Sequence, residues 1–169
     1  HYAGLEPIAL GGTAADVVIN LTAGDDQAIL TDNGLADGQI TLVSVNGTFE
    51  TTTFPNPTNS LTINLAGGND TLTLLTLDPA FNAGLTVSGQ AGTDGIIVPP
   101  GTSLLTGTGD IAFSAEAILV GSPGSPAATV ATTGDIVLAA ANALGTMAVP
   151  DTGATPIVLA TVNINNAAI

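Results

Sequence analysis

The feature that most constrains this chain is a sequence unit that recurs along it. Residues 18–30 read VINLTAGDDQAIL and residues 62–74 read TINLAGGNDTLTL, so the same Ile, Asn, Leu, Gly, Asp and Leu recur at an offset of 44. Residues 86–98 keep the Gly and the Asp 24 residues later, and residues 106–117 align with 131–142 at an offset of 25. If the offset of 44 spans about two units, the unit has roughly 22–25 residues, a period typical of solenoids.

Each unit has the same local plan, a short strand, a glycine–aspartate corner and a second strand. In residues 61–74, apolar and polar side chains alternate before and after the corner Gly-Gly-Asn-Asp. The alternation places aliphatic side chains on one face. Glycine allows a positive φ at the corner, and Asp or Asn closes the turn through its side chain. Further strands are predicted at 16–21, 39–45, 84–88, 95–98, 111–114, 136–139 and 156–165.

Units of this kind predict an all-β fold, a right-handed parallel β-helix of about 22–25 residues per coil, with coils about 4.8 Å apart. Equivalent apolar residues would form two interior stacks: Ile19, Ile63 and Val87, and Leu30, Leu74 and Val98. An antiparallel Ig-like β-sandwich is the alternative, since short strands separated by turns also suit that fold. Residues 1–169 are predicted to form one domain, with loop excursions near 51–59 and 121–127, where proline and small polar residues concentrate.

The segments that carry the repeat also resemble those of a known class of proteins. With GGNDTLTL, AGTDGIIV, TGDIAF and TGDIVLAA, the chain resembles the repetitive extracellular β-helix proteins of bacteria. These include filamentous-haemagglutinin-like adhesins and large secreted repeat proteins. The resemblance covers most of the chain and implies a β-helix that is extracellular or displayed at the cell surface.

The charge balance of the chain excludes several kinds of partner. It has 14 acidic residues and no Lys or Arg, which gives a formal net charge of −14. Such a chain has no cationic surface for nucleic acid, phosphate or anionic lipid, so no nucleic-acid partner is expected. Membrane insertion is not expected either, because no run of about 18 apolar residues occurs. The absence of trypsin sites favours a protease-resistant protein outside the cell.

The same composition limits the metals and cofactors that the chain can hold. There is no Cys, and His1 is the only imidazole, so zinc is not expected. The repeat would stack Asp26, Asp70 and Asp94 at one corner, and carboxylate oxygens are ligands that suit calcium. These three residues are therefore weak calcium candidates, and no other cofactor is expected. The alternative is that each Asp only closes its own turn by hydrogen bonds.

The sequence does not predict an enzyme. Glycoside hydrolysis needs paired carboxylates, and the only glutamates, Glu6, Glu50 and Glu116, lie far apart in the sequence. Pairs of Asp occur mainly in the repeated turns. A Ser/His/Asp triad would have to use His1, the first residue of the chain.

The function predicted from these features is that of a structural subunit of an extracellular filament, sheath or surface layer. The ends of a β-helix expose unpaired strand edges that another copy can extend. Residues 2–11 and 157–165 are apolar and almost free of charge, so neither end is expected to be capped. Subunits would then polymerise head-to-tail, by stacking or by strand donation, and the residues expected at the contact are Val162, Ile164 and Ile169. The alternative is an adhesive or carbohydrate-binding module of a larger repeat protein, with an exposed aromatic or polar stripe.

Overall fold

The computed structural model describes residues 8–122 and 125–140, and all regular secondary structure in these ranges is β. The strands, in chain order, are β1 (Ile8–Ala9), β2 (Asp16–Asn20), β3 (Gln27–Thr31), β4 (Gln39–Ser44), β5 (Thr52–Pro55), β6 (Ser60–Asn64), β7 (Gly67–Gly68), β8 (Thr71–Leu74), β9 (Gly84–Ser88), β10 (Ala91–Gly92), β11 (Gly95–Val98), β12 (Ser103–Leu105), β13 (Ile111–Ala115), β14 (Ala117–Val120), β15 (Thr129–Ala131) and β16 (Ile136–Ala140).

These strands form a parallel β-solenoid of about three turns. One face is a five-stranded parallel sheet in the order β16-β13-β9-β6-β2, and a second contains the parallel run β3-β8-β11-β14. The small pairs β7–β10 and β12–β15 complete the turns. The predicted parallel β-solenoid is confirmed. The Ig-like alternative is wrong, because among the described strands only β3–β4 and β4–β5 pair in antiparallel fashion.

The interior contains the predicted aliphatic stacks. Ile63 pairs with Ile19 on one side and with Val87 on the other. In the second stack Leu30 pairs with Leu74, and the neighbouring Ile97–Thr73 pair puts Val98 beside Leu74. The alternation of apolar and polar residues therefore sets which side chains point inward, because a shift of one residue would expose the whole aliphatic set.

The offset of 44 residues is one turn of the solenoid, not two as the sequence suggested. Asp16 of β2 pairs directly with Ser60 of β6. The extra residues of this turn include the antiparallel hairpin β4–β5, which extends the second sheet beyond β3. Strand β5 also lies within the stretch 51–59 that was predicted to be a loop. Other turns repeat after 24 residues between β6 and β9 and after 25 between β13 and β16.

The hairpin β4–β5 also closes part of one end of the solenoid. Its side chains Ile40, Leu42 and Phe54 are each 1% exposed and belong to the hydrophobic core. Beyond the hairpin, β1 pairs with β5 and forms the exposed outer edge of this sheet, so the prediction that neither end is capped stays a prediction. The insertion thus shields the first interior layer from water with one aromatic and two aliphatic side chains.

Candidate functional site

The corner between the two main sheets contains a continuous row of acidic side chains, here called the inner ladder: Asp26, Asp70, Asp94 and Glu116. The backbone N–H of Asp26 donates to Asp70 Oδ1 at 2.7 Å, and that of Asp70 donates to Asp94 Oδ1 at 3.0 Å. The N–H of Asp94 donates to Glu116 Oε2 at 2.8 Å. The three aspartates are at most 2% exposed. The structure thus stacks the three predicted corner residues, and their carboxylates join successive turns.

A second row of side chains runs beside the inner ladder on the outer surface. The N–H of Asn69 donates to Asp25 Oδ1 at 2.8 Å, and the N–H of Thr93 donates to Asn69 Oδ1 at 3.1 Å. Glycine is required just before these residues, since Gly92 has a φ of 136° and a Cβ there would overlap the carbonyl oxygen of Gly68. The glycine–aspartate corner therefore allows close approach of the turns as well as closing each turn.

The carboxyl group of the inner ladder in the first turn has hydrogen-bond donors that the carboxyl groups in the next two turns lack. Thr22 donates to Asp26 Oδ2 through its backbone N–H at 2.8 Å and through its hydroxyl at 2.9 Å. Ala66 and Gln90 occupy the equivalent positions, with positive φ values of 72° and 71°, and neither supplies a hydroxyl. As a result, Asp70 Oδ2 and Asp94 Oδ2 are buried and accept no hydrogen bond from a described residue.

Burial raises the pKa of Asp70 above its usual value, against the opposing effect of the hydrogen bond from Asp26, and the nearby charges of Asp94, Asp26 and Asp25 raise it further. Burial likewise raises the pKa of Asp94, against the hydrogen bond from Asp70, and the charge of Glu116 adds to the increase. No Lys or Arg is present to offset these charges. At a pH between the pKa that these carboxyl groups have in the unfolded chain and their raised pKa in the folded chain, the folded chain binds more protons than the unfolded chain. These two groups therefore make the fold less stable as the pH rises through that interval.

A second acidic cluster, which the sequence did not predict, lies where the hairpin insertion meets the next turn. Oxygen atoms of Asp32, Asp37 and Asp78 lie within 4.8 Å of one another. Oδ1 of Asp32 and Oδ1 of Asn56 are buried and accept no hydrogen bond from the described residues. Carboxylate and amide oxygens are ligands that suit calcium, so these are the described residues best placed to surround a divalent cation. At the inner ladder the oxygens form a row, and calcium binding by Asp26, Asp70 and Asp94 stays a prediction.

Asp78 fixes the hairpin insertion to the second turn. It is 1% exposed, and it accepts hydrogen bonds from the N–H groups of Gly38 at 2.9 Å and Ala80 at 2.7 Å and from Asn56 Nδ2 at 2.9 Å. Burial raises the pKa of Asp78, but these hydrogen bonds outweigh burial and lower it overall. Asp78 is therefore ionised at neutral pH. No local pattern pointed to it, because its partners in the insertion, Asn56 and Gly38, lie 22 and 40 residues away in the sequence.

The other notable site is the edge of the five-stranded sheet formed by β2, which is open among residues 8–122 and 125–140. Leu21 N donates to Asn64 O at 2.9 Å, and Ala15 O accepts from Ser60 N at 3.1 Å. In a parallel strand, alternate residues direct their backbone groups to opposite neighbours. The N–H and C=O of Val18 therefore point away from β6 toward the open edge, and the Val18 side chain is 59% exposed.

The interior next to β2 is also incompletely covered. Val17 and Ile19 are only half-buried, whereas their partners Leu61 and Ile63 in β6 are fully buried. The hairpin and β1 extend the second sheet past β3, but neither adds a strand to β2. One further strand at this edge would bury more apolar surface and pair the backbone groups that no described strand reaches.

The described aromatic side chains do not form an exposed stripe. Phe54, Phe81 and Phe113 are at most 3% exposed, and Phe49 packs against the core. The described part of the chain thus lacks the aromatic platform expected of a carbohydrate-binding module. It also contains no helix long and apolar enough to span a membrane. The predicted assembly residues Val162, Ile164 and Ile169 lie outside the described residues.

Comparisons with known proteins identify no relative. No family model, no curated protein and no solved structure matches the chain. The fold is thus a β-solenoid without an assigned family.

Proposed function

We propose that this protein is a structural subunit of an extracellular filament, sheath or surface layer, and that copies of it polymerise head-to-tail. The observation that carries the proposal is the open edge of β2, which ends the five-stranded sheet. A strand edge with unpaired N–H and C=O groups is a template for another chain unless it is covered. The resemblance to extracellular β-helix proteins of bacteria supports the proposed location.

The composition of the chain favours a partner of its own kind. With no Lys or Arg it has no cationic surface for nucleic acid or anionic lipid. Copies with a formal net charge of −14 repel one another, but at 0.15 M salt this repulsion is screened within about 8 Å. Strand pairing and apolar burial act at contact, so they can exceed the screened repulsion. A heterologous contact between opposite ends does not close and generates a filament.

The test is electron microscopy and analytical ultracentrifugation of the full chain over a range of protein and salt concentrations. We expect uniform filaments above a threshold protein concentration, and more assembly at 0.15 M salt than in very low salt, because salt screens the repulsion. A chain that stays monomeric at every protein and salt concentration would contradict the proposed function.

A further inference from the structure

We propose that the open edge of β2 binds residues 162–165 of a second copy, which add to the five-stranded sheet as a parallel strand. The inference rests on the proposed function and names the two surfaces that would meet in the filament. The acceptor is the backbone of β2, with the Val18 N–H and C=O on its free side. The donor is a segment identified from its sequence alone.

The donor sequence matches the two strands that already stack at this edge. Residues 17–20 read VVIN, residues 61–64 read LTIN and residues 162–165 read VNIN. The dipeptide Ile-Asn occurs only at these three places in the chain. With the period of two that β2 and β6 follow, Val162 would stack on Val17 and Ile164 on Ile19. The donor would thus cover the two interior side chains that are half-buried in the subunit.

The same register would continue a ladder of asparagine side chains on the outer face. Asn64 Nδ2 donates to Asn20 Oδ1 at 2.7 Å. A side-chain amide both donates and accepts, so Asn20 Nδ2 can donate to Asn165 Oδ1 in the next turn. Stacked asparagines of this kind add to the stability of parallel, in-register strands.

The charges at the edge suit a neutral strand. Residues 152–169 contain no acidic residue, although the chain carries 14 in total. The one carboxylate on β2, that of Asp16, already accepts hydrogen bonds from Asn59 Nδ2 and Ser60 Oγ at 2.6 Å each. A donor without carboxylates adds no like charge beside Asp16, so pairing is not opposed by local repulsion.

The positions of β16 and β2 favour pairing of the donor with β2 of a second copy over pairing with β2 of its own copy. These strands are the two ends of the five-stranded sheet, which at 4.8 Å per strand are about 19 Å apart. The donor follows β16 in the sequence, so pairing within the same copy needs a return along the whole stack. In a head-to-tail array β16 faces β2 of the next copy, so a donor that follows β16 in the sequence has a short path to that edge. Such donor-strand pairing is a known mode of subunit assembly.

The test uses two full-length variants with opposite defects. Val18→Pro removes the edge N–H but none of the bonds to β6, and Val18→Thr is its control. Ile164→Asp adds a charge to the donor, and Ile164→Val is its control. We expect each defective variant alone to sediment as a monomer and both controls to form filaments. An equimolar mixture of the two defective variants should stop at dimers, because only one intact donor and one intact edge can meet.

Filaments from either defective variant alone would overturn the inference, and so would a mixture that stays monomeric. Amide hydrogen exchange of the wild-type protein gives a readout that needs no variant. The Val18 amide should exchange much more slowly in filaments than in subunits, and an unchanged rate would also overturn the inference. If wild-type filaments form but these results are not obtained, the pairing of residues 162–165 with β2 is wrong and the proposed function stands. If the wild type never assembles, the proposed function itself fails.

Discussion

Replacing Thr22 by Val tests whether the inner ladder needs a hydroxyl at its first turn. Asp26 is 0% exposed, and the Thr22 hydroxyl lies 3.0 Å from its Oδ1 and 2.9 Å from its Oδ2. Valine has nearly the same shape but cannot donate a hydrogen bond. The backbone N–H of Thr22 still reaches Oδ2 in the variant, so the change removes one donor to Asp26 and, at the exposed side of the turn, the acceptor of the Gly24 N–H at 3.2 Å.

The expected loss of stability follows from the kind of bond removed. A hydrogen bond to a charged group contributes about 1.5–3 kcal/mol to the free energy of unfolding. Thr22 is only partly buried, so we expect a loss at the lower end, about 1.5 kcal/mol. For a domain of this size that corresponds to a melting temperature lower by about 3–6 °C.

The assay is urea denaturation followed by circular dichroism, with Thr22→Ser as the matched control. Serine keeps the hydroxyl, so this variant should retain most of the wild-type stability. If Thr22→Val is as stable as Thr22→Ser, the carboxylate of Asp26 does not depend on the hydroxyl and the account of the ladder's end is wrong. Measurements must be made below the concentration at which filaments form, because assembly stabilises the folded chain by mass action.

Three further predictions address the rest of the ladder, the hairpin and calcium. The Asp70→Asn variant should become more stable relative to the wild type as the pH rises above the usual Asp pKa, because the buried carboxyl of Asp70, whose pKa is raised, destabilises the fold only when it is ionised. Urea titrations at several pH values would measure this, and a stability difference that does not depend on pH would contradict it. Phe54→Ala should lower the free energy of unfolding by about 3–5 kcal/mol, because Phe54 is 1% exposed in the core, and Phe54→Leu by less; equal stabilities would show that the hairpin does not cover the core. Millimolar calcium should raise the melting temperature only slightly, as mass action at weak affinity requires. A large rise that a chelator reverses would contradict this and reveal a tight site. Loss of the rise in Asp94→Asn would then assign the site to the inner ladder, and loss in Asp78→Asn to the second acidic cluster.

The sequence alone was sufficient for the repeating part of the fold. Alternation with a period of two determines which residues face inward, so the repeat by itself places Ile19, Ile63 and Val87 in one stack, as the strand pairing confirms. The stacking of Asp26 and Asp70 followed in the same way, because residues one repeat apart occupy the same corner. These features depend on local geometry that each turn repeats.

Tertiary structure decided what breaks the repeat. The offset of 44 residues looks like two turns in the sequence, but strand pairing makes it a single turn with an inserted hairpin. Strand β5 escaped prediction because a short segment such as Thr52–Pro55 becomes a strand only when β4 lies beside it and Phe54 enters the core. The cluster around Asp78 likewise depends on contacts between residues distant in sequence. Local pattern thus determined the repeated turn, whereas nonlocal pairing and burial decided that the insertion extends the second sheet and that no described strand covers β2.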